Sequence, residues 1–522
     1  LSCNQVQEDK PALFELVNDT GINFENKVND SSDDNCFLYR NFYNGGGVAI
    51  GDINNDGLAD VMFTSNMSDN KLYLNKGNFK FEDITATSGL KQDSLWCTGV
   101  SFVDINHDGW LDIYVCSSGH INKGNRRNKL YINNHNNSFN EEGAKYGLDY
   151  SGYCTQASFF DYDMDGDLDM YLLNHSIHQS SSFAPRKNFT DNYSPFSGDR
   201  LFRNDGNHFT DVTKQSKINS SEIGYGLGIA VSDINLDGWP DLYIGNDFHE
   251  NDYLYINQKN GTFSEENNQR IMHTSKFTMG VDIADVNNDG YPEIISTDML
   301  AADPYILKRS LGDDDYDVFF SKIASGYNYQ YSRNNLQFNR KNGMFSEAGL
   351  YAGIGATDWS WAPLLMDFDN DGLKDLFIAN GIPKRLNDMD YINFIYNNEM
   401  QQRLQSNDMK NKDMALINKF PEIKIPNKFY HNNSNLQFAD MENSINNNAA
   451  TYSNGAVYAD FDNDGDLDVV VNNTNDAALL YENKSAKKES KNFVIIKLTG
   501  TEINKNAVGA NAVLFTGTKI VT

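Results

Sequence analysis

A nine-residue pattern, Asp-x-Asx-x-Asp-Gly-x-x-Asp/Glu, occurs seven times and restricts the fold more than any other feature of the chain. The copies are DINNDGLAD (52–60), DINHDGWLD (104–112), DYDMDGDLD (161–169), DINLDGWPD (233–241), DVNNDGYPE (285–293), DFDNDGLKD (367–375) and DFDNDGDLD (460–468). Short runs rich in β-branched and aromatic residues flank each copy, such as GVAIG and VMFTSN around the first, and read as strands. A third run (KLYLNKG, KLYINN, RLFRNDG) and a fourth (FKFEDIT, SFNEEG, HFTDVT) follow, separated by turn formers such as KGN and DGN. Each unit is therefore four short antiparallel strands, and seven units predict an all-β, seven-bladed β-propeller with the acidic loops between strands 1 and 2. Motif starts are 52, 57, 72, 52, 82 and 93 residues apart, so a shared blade core carries insertions.

The seventh unit reaches only its third strand, LLYEN (479–483), while LFELVNDTGINF (13–24) matches the fourth-strand pattern. The N-terminal strand is thus expected to complete the last blade. Closure of that kind leaves no unpaired edge between first and last blades.

The acidic spacing wraps oxygen ligands around one point. Positions 1, 3, 5 and 9 offer side-chain oxygens, and position 7 a main-chain carbonyl. The candidate ligands are Asp52, Asn54, Asp56, Leu58 and Asp60, then Asp104, Asn106, Asp108, Trp110 and Asp112. The third set is Asp161, Asp163, Asp165, Asp167 and Asp169, and the fourth Asp233, Asn235, Asp237, Trp239 and Asp241. Asp285, Asn287, Asp289, Tyr291 and Glu293 follow, then Asp367, Asp369, Asp371, Leu373 and Asp375, and last Asp460, Asp462, Asp464, Asp466 and Asp468. Six or seven flexible oxygens suit Ca2+ better than the tighter octahedron of Mg2+, so up to seven Ca2+ are expected, with a structural role. The EF-hand is rejected: its Glu at position 12 is replaced by Phe63, Val115, Leu172, Ile244, Ser296, Ile378 and Val471, and strands, not helices, flank the loops. Asp, Asn and Gly also form tight turns without metal, but a plain turn gains nothing from mutually repelling carboxylates.

With a formal net charge of −29, a nucleic-acid backbone is an unsuitable partner. Hydrophobic content of 39% with abundant Phe and Tyr supports a packed core, not an acidic disordered chain. No run of apolar residues is long enough for a transmembrane helix. Cys97 and Cys154 each stand seven residues before a motif, hence at equivalent strand positions with a packing role, and the spacing of Cys36, Cys97, Cys116 and Cys154 specifies neither a disulfide nor a zinc site.

The repeated GVAIGDINNDGLADVMFTSN pattern resembles FG-GAP/VCBS repeats, the calcium-binding blades also found in integrin α heads, across roughly residues 13–484. KNFVIIKLTGTEINKNAVGANAVLFTGTK (491–519) resembles the opening of an ASPIC/UnbV domain. Leu1-Ser2-Cys3 resembles the end of a bacterial lipoprotein signal, which implies lipidation at Cys3. The expected organisation is a tether over 1–12, a propeller over 13–486 and the beginning of a further β domain over 487–522, the chain being part of a longer protein. Together these features resemble surface lipoproteins of Bacteroidetes-type bacteria. That resemblance implies an outer-membrane, lipid-anchored, surface-exposed location. It also implies partners among other outer-membrane or surface proteins, such as a TonB-dependent transporter assembly for nutrient uptake, or a glycan.

Propeller geometry puts the acidic loops on one face. The insertions near 174–199, 298–333 and 380–427 follow strand 2 and gather on the other, where binding is expected. The stretch 386–419, with no proline and few glycines, suits a helix. Trp96, Tyr153, Tyr225, Trp359 and Trp361 enter strand 1 from that face. They serve either as partner contacts or as wedges between blades, the wedge being preferred. The run Asp313-Asp314-Asp315 reads as solvated charge. No HExxH, GxSxG or phosphate loop occurs, which favours a binding or scaffold protein over an enzyme. A polysaccharide-active lyase or hydrolase, and an adhesin, are the alternatives.

Overall fold

Strand 2 of every unit is the central strand of a blade, and its continuous apolar run is buried on both sides, as in Asp60–Phe63, Asp112–Ser118 and Asp468–Asn473. Strand 4 is short and half exposed, as in Phe81–Asp83. The computed structural model describes residues 12–90, 95–119, 126–176, 184–190, 193–206, 208–395, 397–398, 402, 414, 417–488, 494–516 and 519–521. Cys3 and the rest of the tether lie outside the described residues, as do parts of 174–199 and 386–419.

Seven blades built on four antiparallel strands form the propeller, and the seventh carries Ile445–Asn446 as a fifth strand, parallel to its N-terminal one. Blade one comprises Val48–Gly51, Asp60–Phe63, Lys71–Asn75 and Phe81–Asp83. Blades two to six repeat that order over 96–141, 154–211, 226–265, 280–347 and 360–440. Blade seven takes Ser453–Ala459, Asp468–Asn473 and Leu479–Asn483 from the C-terminal part of the chain, and its fourth strand is Phe14–Leu16. Phe14 stands opposite Asn483 and Leu16 opposite Tyr481 in antiparallel register, so the ring closes through the N-terminal strand as the sequence implies.

Among the described residues the buried apolar side chains fall into eight clusters, and seven of these lie between adjacent blades. The wedge from blade one to blade two, for example, joins Met62 and Leu72 to Val100 and Ile113. Burial of this kind drives blade against blade and supplies most of the folding energy.

The eighth cluster seals the face opposite the acidic loops. Val28, Cys36, Phe37, Tyr39, Phe42 and Tyr43, from the connection between the closing strand and blade one, pack with Trp359, Trp361, Ile382 and Tyr391. Periodicity gives no hint of this plug, because its apolar residues sit in a polar, acidic stretch without a repeat. The insertions after strand 2 of blades three, five and six lie on the same face. They include helices at Pro304–Arg309, Tyr316–Ala324 and Met389–Ile395, the last being the described part of the expected 386–419 helix. No helix among the described residues is long and apolar enough to cross a membrane. Cys36, Cys97, Cys116 and Cys154 are buried free thiols.

Phe14 is fully buried, with ring centroids 5.3 Å from Phe368 and 4.8 Å from Phe429. Phe14→Ala is expected to cost about 3–5 kcal/mol by urea denaturation, whereas Glu15→Ala on the same strand changes little.

Candidate metal centres

The seven acidic loops share one geometry. The position-1 carboxylate accepts the N–H groups of positions 5 and 6, as Asp52 does from Asp56 at 3.0 Å and Gly57 at 2.8 Å. Asp104, Asp161, Asp233, Asp285, Asp367 and Asp460 repeat both bonds. The position-5 carboxylates Asp56, Asp108, Asp165, Asp237, Asp289, Asp371 and Asp464 accept the N–H of position 7. Leu58, Trp110, Trp239, Tyr291 and Leu373 thus present only a main-chain carbonyl as a possible ligand. Two residues per loop take left-handed conformations. One is the position-6 glycine, φ +87° in Gly57, and the other is position 4, φ +58° in Asn55. A Cβ on Gly57 would meet no atom within 4 Å, so backbone conformation, not space, selects glycine there.

Position 9 ties each loop to its blade. Asp60 accepts the N–H of Ile53 at 3.0 Å on one oxygen and that of Asn75, the last residue of strand 3, at 2.8 Å on the other. Asp112, Asp169, Asp241, Asp375 and Asp468 do the same with Asn133, Asn204, Asn257, Asn432 and Asn483. Glu293, the variant residue, is fully buried and accepts the N–H of Val286 at 3.0 Å, so the longer side chain fills the same role.

The strand-3 asparagine then reaches the neighbouring blade. Asn133 donates its amide to the carbonyl of Ile53 in loop one at 2.8 Å, and Asn257, Asn339, Asn432 and Asn483 reach Tyr162, Ile234, Val286 and Phe368. Asn75 reaches Phe461 of blade seven at 3.0 Å, and Asn204 donates to Leu168 of its own blade. A second link joins loops directly: the position-4 amides of Asn55, Asn288, Asn370 and Asn463 donate to the carbonyls of Gly109, Gly372, Gly465 and Gly57. The signal for the first link was in the sequence, since every third strand ends in Asn (KLYLN, YLYIN, LLYEN), but Asn there reads as a turn former.

These loops fit a hard cation. Ligand oxygens of Asp161, Asp163 and Asp169 lie within 4.8 Å of one another, as do those of Asp367, Asp369 and Asp371, and of Asp460, Asp462 and Asp464. Oδ1 of Asp163, Asn235 and Asn287 at position 3, and of Asp167 and Asp466 at position 7, are buried without a hydrogen-bond partner. Buried polar atoms normally find one, and a cation supplies it. Burial, reinforced by neighbouring carboxylates, pushes the position-9 acids up, to about 7 in Asp60, Asp112 and Asp241, 8 in Glu293 and Asp468, and 9 in Asp169.

The aromatic residues on strand 1 face the chain's own plug. Tyr153, Tyr225, Trp359 and Trp361 are buried, and Trp96 packs edge-on against Tyr39 at 5.4 Å. Tyr225 donates its hydroxyl to Asn41 at 2.7 Å, and the Trp361 indole donates to the carbonyl of Gly381. Trp96 is half-buried. Asp314, read as solvated, is instead the counter-ion of Lys276 and Lys322, at 2.9 and 3.0 Å, both lysines being nearly fully buried.

The chain matches the FG-GAP-like repeat family over residues 34–115, 233–296, 311–378 and 413–471, just over half its length. It is 27% identical to cartilage acidic protein 1 of Xenopus tropicalis over 238 residues, 45% of this chain and 33% of that protein. It is 35% identical to human (Homo sapiens) integrin alpha-7 over 82 residues, and 27% identical to mouse (Mus musculus) integrin alpha-3 over 97 residues. These stretches cover 14% and 16% of this chain and 7% and 9% of the two integrins, respectively. The chain thus spans a third of the first relative and under a tenth of each integrin.

Two substitutions test the loop geometry. Asn133→Ala, which strands the carbonyls of Ile53 and Leu111, is expected to cost about 1–3 kcal/mol in chemical denaturation. Leu236 holds φ +59° at position 4 without an amide, so Leu236→Asn is expected to gain about 1 kcal/mol and raise the melting temperature.

Proposed function

The chain belongs to the FG-GAP-like repeat family, and on that premise we propose that it is a calcium-stabilised binding scaffold of the cell surface. The observation that carries this reading is the ring of buried carboxylates and unpartnered oxygens on one face, hydrogen-bonded from loop to strand to neighbouring blade. Ca2+ supplies positive charge where the fold has concentrated negative charge. The chain's own residues do the rest: position 9 fixes the loop on strand 3, and the asparagine amide passes the restraint to the next blade.

The finer reading is a lipid-anchored outer-membrane protein held through Cys3, with the propeller over 13–486 and an ASPIC/UnbV-like domain beginning at 487. It serves as a subunit of a surface complex such as a nutrient-uptake assembly, and its partner is a protein or a glycan. Contacts are placed on the insertion-bearing face. There the helix Tyr316–Ala324 exposes Tyr316 and Phe320, tilted against each other with ring centroids 4.6 Å apart, on an insertion anchored by the Lys276–Asp314–Lys322 cluster. A rigidly based loop with exposed rings suits recognition better than catalysis. Gentle purification of the native protein from membranes, with mass spectrometry of what accompanies it, tests the partner. Tyr316→Ala with Phe320→Ala is expected to release it without changing the melting temperature, and retention of the partner contradicts the assignment of that face.

The pH dependence has a definite sign. The position-9 acids titrate higher in the metal-free fold than in an unfolded chain, so their contribution to stability is present below about pH 4 and is lost as pH rises through about 6 in Asp375 and about 7 to 9 in the others. The chelated protein is therefore expected to melt at a lower temperature at pH 8 than at pH 5. Added Ca2+, which requires ionised ligands, is expected to raise the melting temperature more at pH 8 than at pH 5 in scanning calorimetry.

A further inference from the structure

Among the described residues, loop six alone brings an imidazole close to two loop carboxylates at once; in loop two His135 Nε2 meets a single one, Oδ2 of Asp108, at 2.9 Å. His431 stands in strand 3 of blade six, one residue before Asn432, where the sister strands carry Leu74, Ile132, Arg203, Ile256, Phe338 and Glu482. Its Nδ1 lies 3.2 Å from Oδ1 of Asp375 and 3.5 Å from Oδ2 of Asp369, positions 9 and 3 of the loop. The three ligand atoms fall within 4.8 Å of one another. Nδ1 is shut off from solvent and faces both carboxylates. Asp375 is fully buried and already fixed by the N–H groups of Phe368 and Asn432 at 3.2 and 2.7 Å, so one side of the triad is rigid.

We propose that His431, Asp369 and Asp375 form a site for a borderline divalent metal of the Zn2+ class, specific to the sixth blade. Imidazole suits zinc and its neighbours, whereas Ca2+ takes oxygen ligands. A tetrahedral site with bonds of about 2.0–2.1 Å has edges of about 3.3–3.4 Å, close to the two separations found here. Asp369 and Asp375 are also candidate Ca2+ ligands of this loop, so the two cations exclude each other: loop six holds Zn2+ through the imidazole or Ca2+ through Asp367 and Asp371. The other loops, with no imidazole beside positions 3 and 9, remain oxygen sites, the exposed His135 of loop two being hydrogen-bonded to Asp108 alone. This inference rests on reading the loops as cation sites, and its test separates the two ideas.

The experiment is Zn2+ titration of Ca2+-saturated protein by isothermal calorimetry, with both metals counted by elemental analysis after desalting. The wild-type chain is expected to take up one Zn2+ that His431→Leu does not, and to release one Ca2+. His431→Gln, which keeps a polar side chain, is expected to behave as His431→Leu does, and matched melting curves in chelator establish that the variants are folded. Equal Zn2+ uptake by wild type and both variants, or no uptake by wild type, overturns the proposal. The Ca2+ count of the variants reads the broader assignment independently: calcium retained with no histidine-dependent zinc sinks only the zinc site, whereas no calcium in any form sinks the reading of the loops as Ca2+ sites.

Discussion

The structure depends on a buried carboxylate that holds two main-chain N–H groups, one from its own loop and one from strand 3. Asp60 and its six counterparts stitch the start of each acidic loop to the end of strand 3. Water is excluded there, so an ionised carboxylate is costly unless hydrogen bonds and a cation balance it. The backbone supplies the hydrogen bonds, and the loop's other oxygens converge where a cation would sit. Because the strand-3 asparagine leads on to the next blade, a local charge requirement is converted into a ring-wide restraint.

That coupling makes the propeller asymmetric. One face is a polar, acidic ring in which loop follows loop through asparagine amides. The other is an apolar mouth stopped by residues 28–43 and overhung by insertions. The aromatic residues of strand 1 support the plug, and the exposed rings of Tyr316 and Phe320 project from an insertion beyond it. The acidic loops and the insertions thus lie at opposite ends of the same strands.

Blade number, strand order and the closing role of Phe14–Leu16 were legible because the acidic motif fixes the frame of every unit, so that a missing fourth strand shows at once. The shared loop geometry, with position 1 and position 9 accepting main-chain N–H groups, follows the spacing of the motif. The plug was not, because Cys36, Phe37, Tyr39 and Phe42 follow neither a strand nor a helix period, and only tertiary packing gives them a role. The bridging asparagines were visible as a repeated letter, but their meaning depends on which blade lies alongside. His431 carried no signal, since its distance to Asp369 and Asp375 exists only once strand 3 is folded beside the loop. Asp314 was misread for a related reason: the lysines that neutralise it come from elsewhere in the chain.

The most direct measurement is amide hydrogen exchange with and without Ca2+, followed at Ile53, Asn75, Phe461 and Asn483, whose N–H groups are held by position-9 carboxylates. The account predicts that chelation speeds exchange at these amides in every blade, while the central strands such as Val61–Phe63 remain protected. Exchange at the four amides that is the same in calcium and in chelator would contradict it.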